Sequence, residues 1–271
     1  MRPIAFVFIA FFASNALYAQ LGLPTTAGAQ GAAMGGVGIN FRDIHGAFAD
    51  QAGLAWVEKT SFMLLSEARF AGVQLNAAGA AVAVPVGGGT VGLCAQYLGT
   101  DGYTEQKIGL AYARKVGNRF SFGAQFDYLG IRIPQYGAAN LVTFELGLQT
   151  EIFKGFWIAA HAYSPIPIKF ADTERLPSVV RIGVSYQPSE QILLATEVGK
   201  DLDYPDFSWR AGLSYRIVPN IWIRAGVGTA PTKTSLGLGF ALAKSWRIDV
   251  AAAYQDRIGF SPVVGLIYQP K

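Results

Sequence analysis

His45, His161 and Cys94 are the side chains best suited to nucleophilic, acid–base or metal chemistry, and the sequence holds only two histidines and one cysteine. A structural zinc site needs about four nitrogen or sulfur ligands, which this set cannot complete. A lone thiol forms no internal disulfide either. Hydrolases of the α/β type present their serine in a G-x-S-x-G turn, and no such pentapeptide occurs; neither histidine has a serine placed beside it by a motif. The glycines between Gly28 and Gly38 miss the G-x-G-x-x-G spacing that cradles a dinucleotide phosphate. His45 and His161 therefore read as hydrogen-bonding structural residues, and Cys94 as a small buried one. An Asp/His pair meeting across strands is the enzymatic arrangement left open. Neither catalysis, a metal nor a cofactor is expected.

Composition points the same way. Hydrophobic residues make up 51% of the chain, charged residues 15%, and the net charge is +4. Lysine and arginine are scattered rather than clustered, which excludes a nucleic-acid-binding stripe. At the N-terminus, Arg2 precedes the apolar run Ile4–Ala13, and Leu17-Tyr18-Ala19 precedes Gln20 like a cleavage site. Residues 1–19 are thus expected to be a secretory signal peptide. The run is too short for a membrane-spanning helix, and no cysteine near the cleavage site marks a lipoprotein.

The elements that must position any functional residue alternate with period two. In 119–128, Phe120, Phe122, Ala124, Phe126 and Tyr128 oppose Arg119, Ser121, Gly123, Gln125 and Asp127. In 141–152, Val142, Phe144, Leu146, Leu148 and Ile152 oppose Thr143, Glu145, Gly147, Gln149 and Glu151. The pattern returns in 179–187, 209–216 and 246–255. Successive strand side chains point to opposite faces, so each segment has an apolar and a polar face. A soluble sandwich produces such strands too. These segments, however, run for about ten residues, the length that crosses a bilayer at a tilt, and their polar face is rich in Gly, Ala and Ser, which suits a crowded lumen.

Connections alternate as well. Short turns at Gly87–Gly89, Gly117-Asn118, Lys154-Gly155, Pro188–Glu190, Pro219-Asn220 and Lys244-Ser245 are interleaved with longer loops. Those loops lie at Gly99–Gly102, Ile131–Ala139, Ser164–Arg175, Lys200–Asp206, Thr229–Thr232 and Asp256-Arg257. Bacterial barrels have short periplasmic turns and longer external loops. The expected fold is an all-β, antiparallel up-and-down transmembrane barrel of about 14 strands, occupying 59–271, in the bacterial outer membrane with both termini periplasmic. Two aromatic girdles follow from this order: Tyr128, Trp209, Tyr254 and Phe260 at the outer strand ends, and Tyr112, Phe120, Tyr186, Tyr215, Trp246 and Tyr268 at the inner ones.

Residues 20–58 break the alternation. The small-residue stretch Gly28–Gly38 is followed by Asp43-Ile44-His45 and then Asp50-Gln51-Ala52-Gly53-Leu54-Ala55. Small side chains allow close backbone approach to a barrel wall. This region resembles the N-terminal segment of the FadL-like and PorV/PorQ-like outer-membrane barrels. Asp50 stands where Asn is usual in that pattern, and the C-terminus lacks the common final aromatic. The resemblance implies fourteen strands and a plug or hatch in the lumen, here with Ile44, His45, Phe48, Asp50, Gly53, Leu54 and Trp56.

Two functions follow from the two sides of the resemblance. In the PorV type, taken first, the barrel is a non-enzymatic accessory subunit of a secretion or assembly complex. It would contact other outer-membrane or secreted proteins through the apolar loop Pro165, Ile166, Pro167, Ile168 and Phe170. The alternative is a FadL-like channel for small hydrophobic molecules. Short loops and a lumen of mixed charge weigh against that alternative: Glu105, Lys107, Arg119, Asp127, Glu145, Glu151, Arg181, Glu197, Arg210, Arg224, Arg247 and Asp249 fall on the inner parity. Apolar solutes gain little from such a lining. Membrane lipid is the expected partner of the outer face in either reading, and mutual pairing of the lumenal charges around a plug suits a filled interior.

The register is testable. Phe144→Arg or Leu146→Arg places a cation at the bilayer midplane at a cost of about 2–4 kcal/mol, and is expected to impair assembly. Gln149→Arg, on the polar parity, is expected to be far milder when folding is followed by heat-modifiable gel mobility.

Overall fold

The computed structural model describes residues 27–72, 75–135, 137–169, 175–256 and 258–270. The expected signal peptide, Phe170 and Arg257 lie outside the described residues. Fourteen strands follow one another: β1 Ser61–Arg69, β2 Leu75–Val86, β3 Gly89–Thr100, β4 Tyr103–Val116, β5 Phe120–Ile133, β6 Gly137–Phe153 and β7 Phe156–Tyr163, then β8 Val179–Ser189, β9 Ile192–Asp201, β10 Phe207–Val218, β11 Ile221–Gly228, β12 Lys233–Leu242, β13 Trp246–Gln255 and β14 Gly259–Tyr268. Each pairs antiparallel with its sequence neighbours, and β1 closes on β14 from Phe62↔Tyr268 to Glu67↔Val263. The barrel is closed. No helix among the described residues is long and apolar enough to cross a membrane; the strands do so instead.

Burial alternates as the sequence does. Phe122, Phe126, Tyr128, Val142, Leu146, Leu148 and Ile182 are exposed on the outer wall, whereas Gln125, Asp127, Glu145, Gln149 and Arg181 are buried within it. Large apolar groups facing outward all round are stable only against lipid. Connections at one end of the barrel hold two or three residues, and those at the other are mostly longer; these are called the turn end and the loop end. Aromatic pairs mark both ends, Tyr254–Phe260 at 4.9 Å by the loops and Trp246–Tyr268 at 4.4 Å by the turns. One element differs from expectation: the segment 131–139 is not a loop. β5 and β6 continue their ladder through Ile131↔Ala139 and Ile133↔Gly137, and this hairpin turns three residues later than the composition suggests. The Gly-Ala-Ala start of β6 carries no hydrophobic alternation to read.

Residues 27–57, before β1, lie inside the barrel. It forms one α-helical turn and a half, α1 (Gly28–Ala33), and two 3₁₀ helices, Ile44–Phe48 and Gln51–Trp56. Asp43 and Asp50 start the 3₁₀ helices, each accepting a backbone N–H two residues on, from His45 and Ala52. That is the usual capping role of aspartate. α1 packs on β11–β14, and the second 3₁₀ helix packs on β3–β6. These contacts are backbone to backbone in places: a Cβ at Gly226 would coincide with Met34 and Gly35, one at Gly212 would meet Met34 at 2.5 Å, and one at Gly147 would strike the Asp50 carboxylate. The small residues of the polar parity are thus the seat of the inner segment.

Gly226→Val is expected to unseat α1 and cost about 1–3 kcal/mol through overpacking. Gly102→Ala, with nothing within 4 Å of its added carbon, is expected to be neutral. Urea midpoints of the refolded barrel compare the two.

Candidate functional site: the plugged lumen

Three inward carboxylates organise the lumen, each meeting two cationic or histidine side chains from the wall. Glu145 on β6 receives Lys107 Nζ at 2.7 Å and His161 Nε2 at 2.8 Å. Arg181 Nη2 lies 3.1 Å from His161 Nδ1. A guanidinium only donates, so Nδ1 accepts and the imidazole proton sits on Nε2, facing Glu145. Asp127, 3.8 Å from Lys107, accepts the amide of Gln125 at 2.8 Å. Glu197 on β9 receives Arg210 Nη1 at 3.0 Å and has Arg181 Nη1 at 3.8 Å. Asp249 on β13 receives Arg224 at 2.6 Å and Arg247 at 3.0 Å.

Each cluster also grips the inner segment. The Gln51 amide donates to Glu145 at 2.9 Å. The backbone N–H groups of Gly38 and Ile39 donate to Glu197 Oε2 at 3.1 and 3.3 Å. Arg210 and Arg181 donate to the carbonyls of Gly36 and Ala49. Arg247 Nη2 reaches His45 Nε2 at 3.5 Å, and His45 Nδ1 pairs with Asp43 at 2.7 Å. Gln149 donates to the carbonyls of Ile39 and Phe41 at 2.8 and 3.1 Å, and the Gly35 N–H donates to Ser235 at 2.8 Å.

Apolar layers lie on either side of this belt. Towards the turns, Ile44, Phe48, Leu54 and Val57 pack against Met63, Leu65, Cys94 and Ile267 of the wall. Trp56 stands edge-on to Trp157 at 4.9 Å and donates its indole N–H to Ser121. Towards the loops, Leu98, Leu129, Leu141 and Leu176 form a second cluster, with Leu75, Ile131, Tyr163 and Ile168 packed on it.

The structure thus places Ile44, His45, Phe48, Asp50, Gly53, Leu54 and Trp56 inside the barrel, and Glu105, Lys107, Asp127, Glu145, Arg181, Glu197, Arg224 and Asp249 buried on its inner wall. Arg210, Arg247 and Glu151 are half-buried there. Arg119 is a correction: it is exposed in the turn before β5 rather than lumenal. It precedes Phe120, the first residue of β5, and the alternation of faces does not extend into the turn. Gln149 is a second correction. Being buried and engaged with two plug carbonyls, it cannot take an arginine mildly. His161, on β7, lies deep in the belt. The apolar loop divides: Ile166 is 59% exposed and Pro167 is exposed, Pro165 is half-buried, and Ile168 turns inward onto the leucine cluster. Gln51, Gln149 and Ser235 were not singled out from sequence as plug ligands; their only signal was a polar side chain on the inward parity.

No family model matches the sequence, and no curated protein matches it. Solved structures do. The Ralstonia pickettii toluene transporter TbuX superimposes with a TM-score of 0.73 at 13% identity, covering 92% of this chain and 99% of that one. The Pseudomonas putida toluene transporter TodX gives 0.68 at 11% identity, over 92% and 98% of the two chains. A Pseudomonas aeruginosa FadL homologue gives 0.66 at 14% identity, over 92% and 99%. The fold is FadL-like. These likenesses are of fold, and they support the FadL side of the resemblance while giving no support to the PorV/PorQ side.

In this FadL-like barrel Glu197 is the most demanding clamp. Removing one member of a buried ion pair costs about 3–5 kcal/mol. Glu197→Ala leaves Arg181 and Arg210 without a carboxylate and two plug N–H groups without an acceptor. The expected outcome is a lowered unfolding midpoint together with protease cleavage near Gly38, whereas a Glu190→Ala change at an exposed turn pair (3.8 Å to Arg216) leaves both unchanged.

Proposed function

We propose that this chain is an outer-membrane channel for small hydrophobic molecules, with its termini and short turns in the periplasm and residues 20–58 acting as a plug. The reading is carried by one observation: a fold shared across nine-tenths of the chain with the toluene transporters TbuX and TodX. An accessory role in secretion, the first reading of the sequence, has no comparable support.

The lumen's chemistry is compatible with an apolar cargo once its charges are seen in place. Unpaired charges repel an apolar solute because they hold water; here they hold one another and the plug backbone. What a molecule meets from the loop end is the leucine cluster. Burial of apolar area there contributes about 25 cal/mol per Å², enough for a small hydrocarbon to partition into the mouth without long capture loops. Leu129 and Leu141 would form its floor, and Ile168 on the loop its cover.

The test is initial uptake of radiolabelled toluene by cells lacking their own hydrocarbon channel. Expression of the wild-type chain is expected to raise the rate several-fold over empty vector. The double variant Leu129→Glu/Leu141→Glu, which puts carboxylates in the mouth, is expected to abolish the gain while the barrel still folds. Equal uptake by the variant, or a barrel that raises no uptake but retains a protein partner in mild detergent, would sink the channel reading.

A further inference from the structure

We infer that Arg114 and Tyr112, on the lipid-facing side of β4, form a seat for the phosphodiester of a phospholipid in the leaflet at the turn end. In the half of the wall nearer the turns, Arg114 is the one charged residue of the described strands on the outward parity. It does not lie beyond the apolar wall. Cross-strand register sets Val116 beside Phe120, Arg114 beside Phe122 and Tyr112 beside Ala124. The exposed pair Val116 and Phe120 therefore separates the arginine from the turn. A cation on the lipid face is tolerated near the interface, where it can reach headgroups.

The protein supplies this guanidinium with no counter-charge. Arg114 makes no hydrogen bond or ion pair with a described residue. β2 and β3 hold no charged residue, and from Gln106 to Phe126 the β4–β5 hairpin holds Lys107, Arg114, Lys115 and Arg119 and no acid. Lys107 is bound to Glu145 in the lumen, and Lys115 lies over the Trp56 ring at 4.4 Å. Arg114 and Arg119 remain, both exposed. The neighbouring turn, Gly87–Gly89, leaves the arginine uncovered. A Cβ at Gly88 would lie 3.9 Å from the guanidinium, and one at Gly89 would meet the Tyr112 hydroxyl at 2.7 Å. Guanidinium and phenol thus reach over the same turn, where no side chain stands. A phosphodiester fits this pair: the guanidinium fork donates to two of its oxygens and the phenol to one. The acyl chains then run towards the midplane over Leu110 and Ile108, both exposed. Arg119 nearby favours a headgroup of net negative charge, such as phosphatidylglycerol, over one carrying an amine. The site is independent of the cargo. It takes from the channel reading that the turns are periplasmic, which makes the leaflet the inner one.

Native mass spectrometry of the barrel purified from outer membranes and titrated with dioleoyl-phosphatidylglycerol tests it. Arg114→Gln is expected to weaken the first lipid adduct by about tenfold. Arg114→Lys, which keeps the charge and loses the fork, is expected to fall between the two. Arg132→Gln, at an exposed position of β5 by the loops, is expected to leave the adduct unchanged. Dioleoylglycerol, with the same chains and no phosphate, is expected to form none, and inorganic phosphate is expected not to displace the lipid. Heat-modifiable mobility checks folding, which the loss of a lipid-facing charge does not oppose. Equal affinity in wild type and Arg114→Gln would overturn the proposal. So would equal retention of dioleoylglycerol, or displacement by inorganic phosphate. Labelling of Asn118→Cys by an impermeant maleimide in intact cells would overturn the periplasmic placement of the turns, whatever the lipid titration gives.

Discussion

Every buried backbone N–H and C=O must find a partner, and inside a bilayer water is not there to supply one. Much of this structure answers that requirement. The wall answers it by closure: β1 pairs with β2 on one side and β14 on the other, and no edge faces lipid. Closure with fourteen strands then sets a diameter wider than wall side chains alone can fill, since eight-stranded barrels already have just enough room for them. Something else has to occupy the centre, and the chain supplies its own N-terminal segment.

That segment meets the same requirement under harder conditions. Its described residues contain only short helical turns, so much of their backbone lacks internal hydrogen bonds. Wall side chains stand in for the missing partners. Glu197 accepts from Gly38 and Ile39, Gln149 donates to Ile39 and Phe41, Arg181 donates to Ala49, and Ser235 accepts from Gly35. The lumenal charges are therefore solvent substitutes for an irregular chain. A carboxylate is an efficient one, able to accept several donors at once, and the nearby arginines offset the cost of burying it. Such ion pairs add little net stability over apolar packing; what they add here is a single seat for the plug.

Much of this was legible in the sequence and the rest was not, for physical reasons. Strand parity is local, so Phe144 outward and Glu145 inward could be read from neighbours alone. Turn lengths and girdle aromatics are local as well, and they yield the strand count. A contact such as Gln149 with Ile39, or Arg247 with His45, joins residues more than a hundred positions apart and exists only once the barrel has closed. The sequence shows that these side chains face inward but not which plug atom they meet. Parity also fails at strand ends, as Arg119 shows, because a turn residue belongs to neither face. Gly212 and Gly226 were legible as small inward residues; that both touch one short stretch of plug backbone was not.

The pairing of lumenal charges bears on what the lumen could admit. Lys107, Arg181, Arg210, Arg224 and Arg247 are matched by Asp127, Glu145, Glu197, Asp249 and Asp43. Matched charges 2.6–3.9 Å apart leave little field along the axis, so the belt neither attracts nor selects ions as a ring of one sign would. Its charged groups are paired with one another, and a polar solute would have to compete with the plug for Glu145, Glu197 and Arg181. An apolar solute asks for none of these groups. On the channel reading it would collect at the leucine layer by burial alone, above side chains bonded to the plug. Movement past that level then depends on movement of the plug itself. On the channel reading, the clamps at Glu145, Glu197 and Asp249 are what hold the path shut.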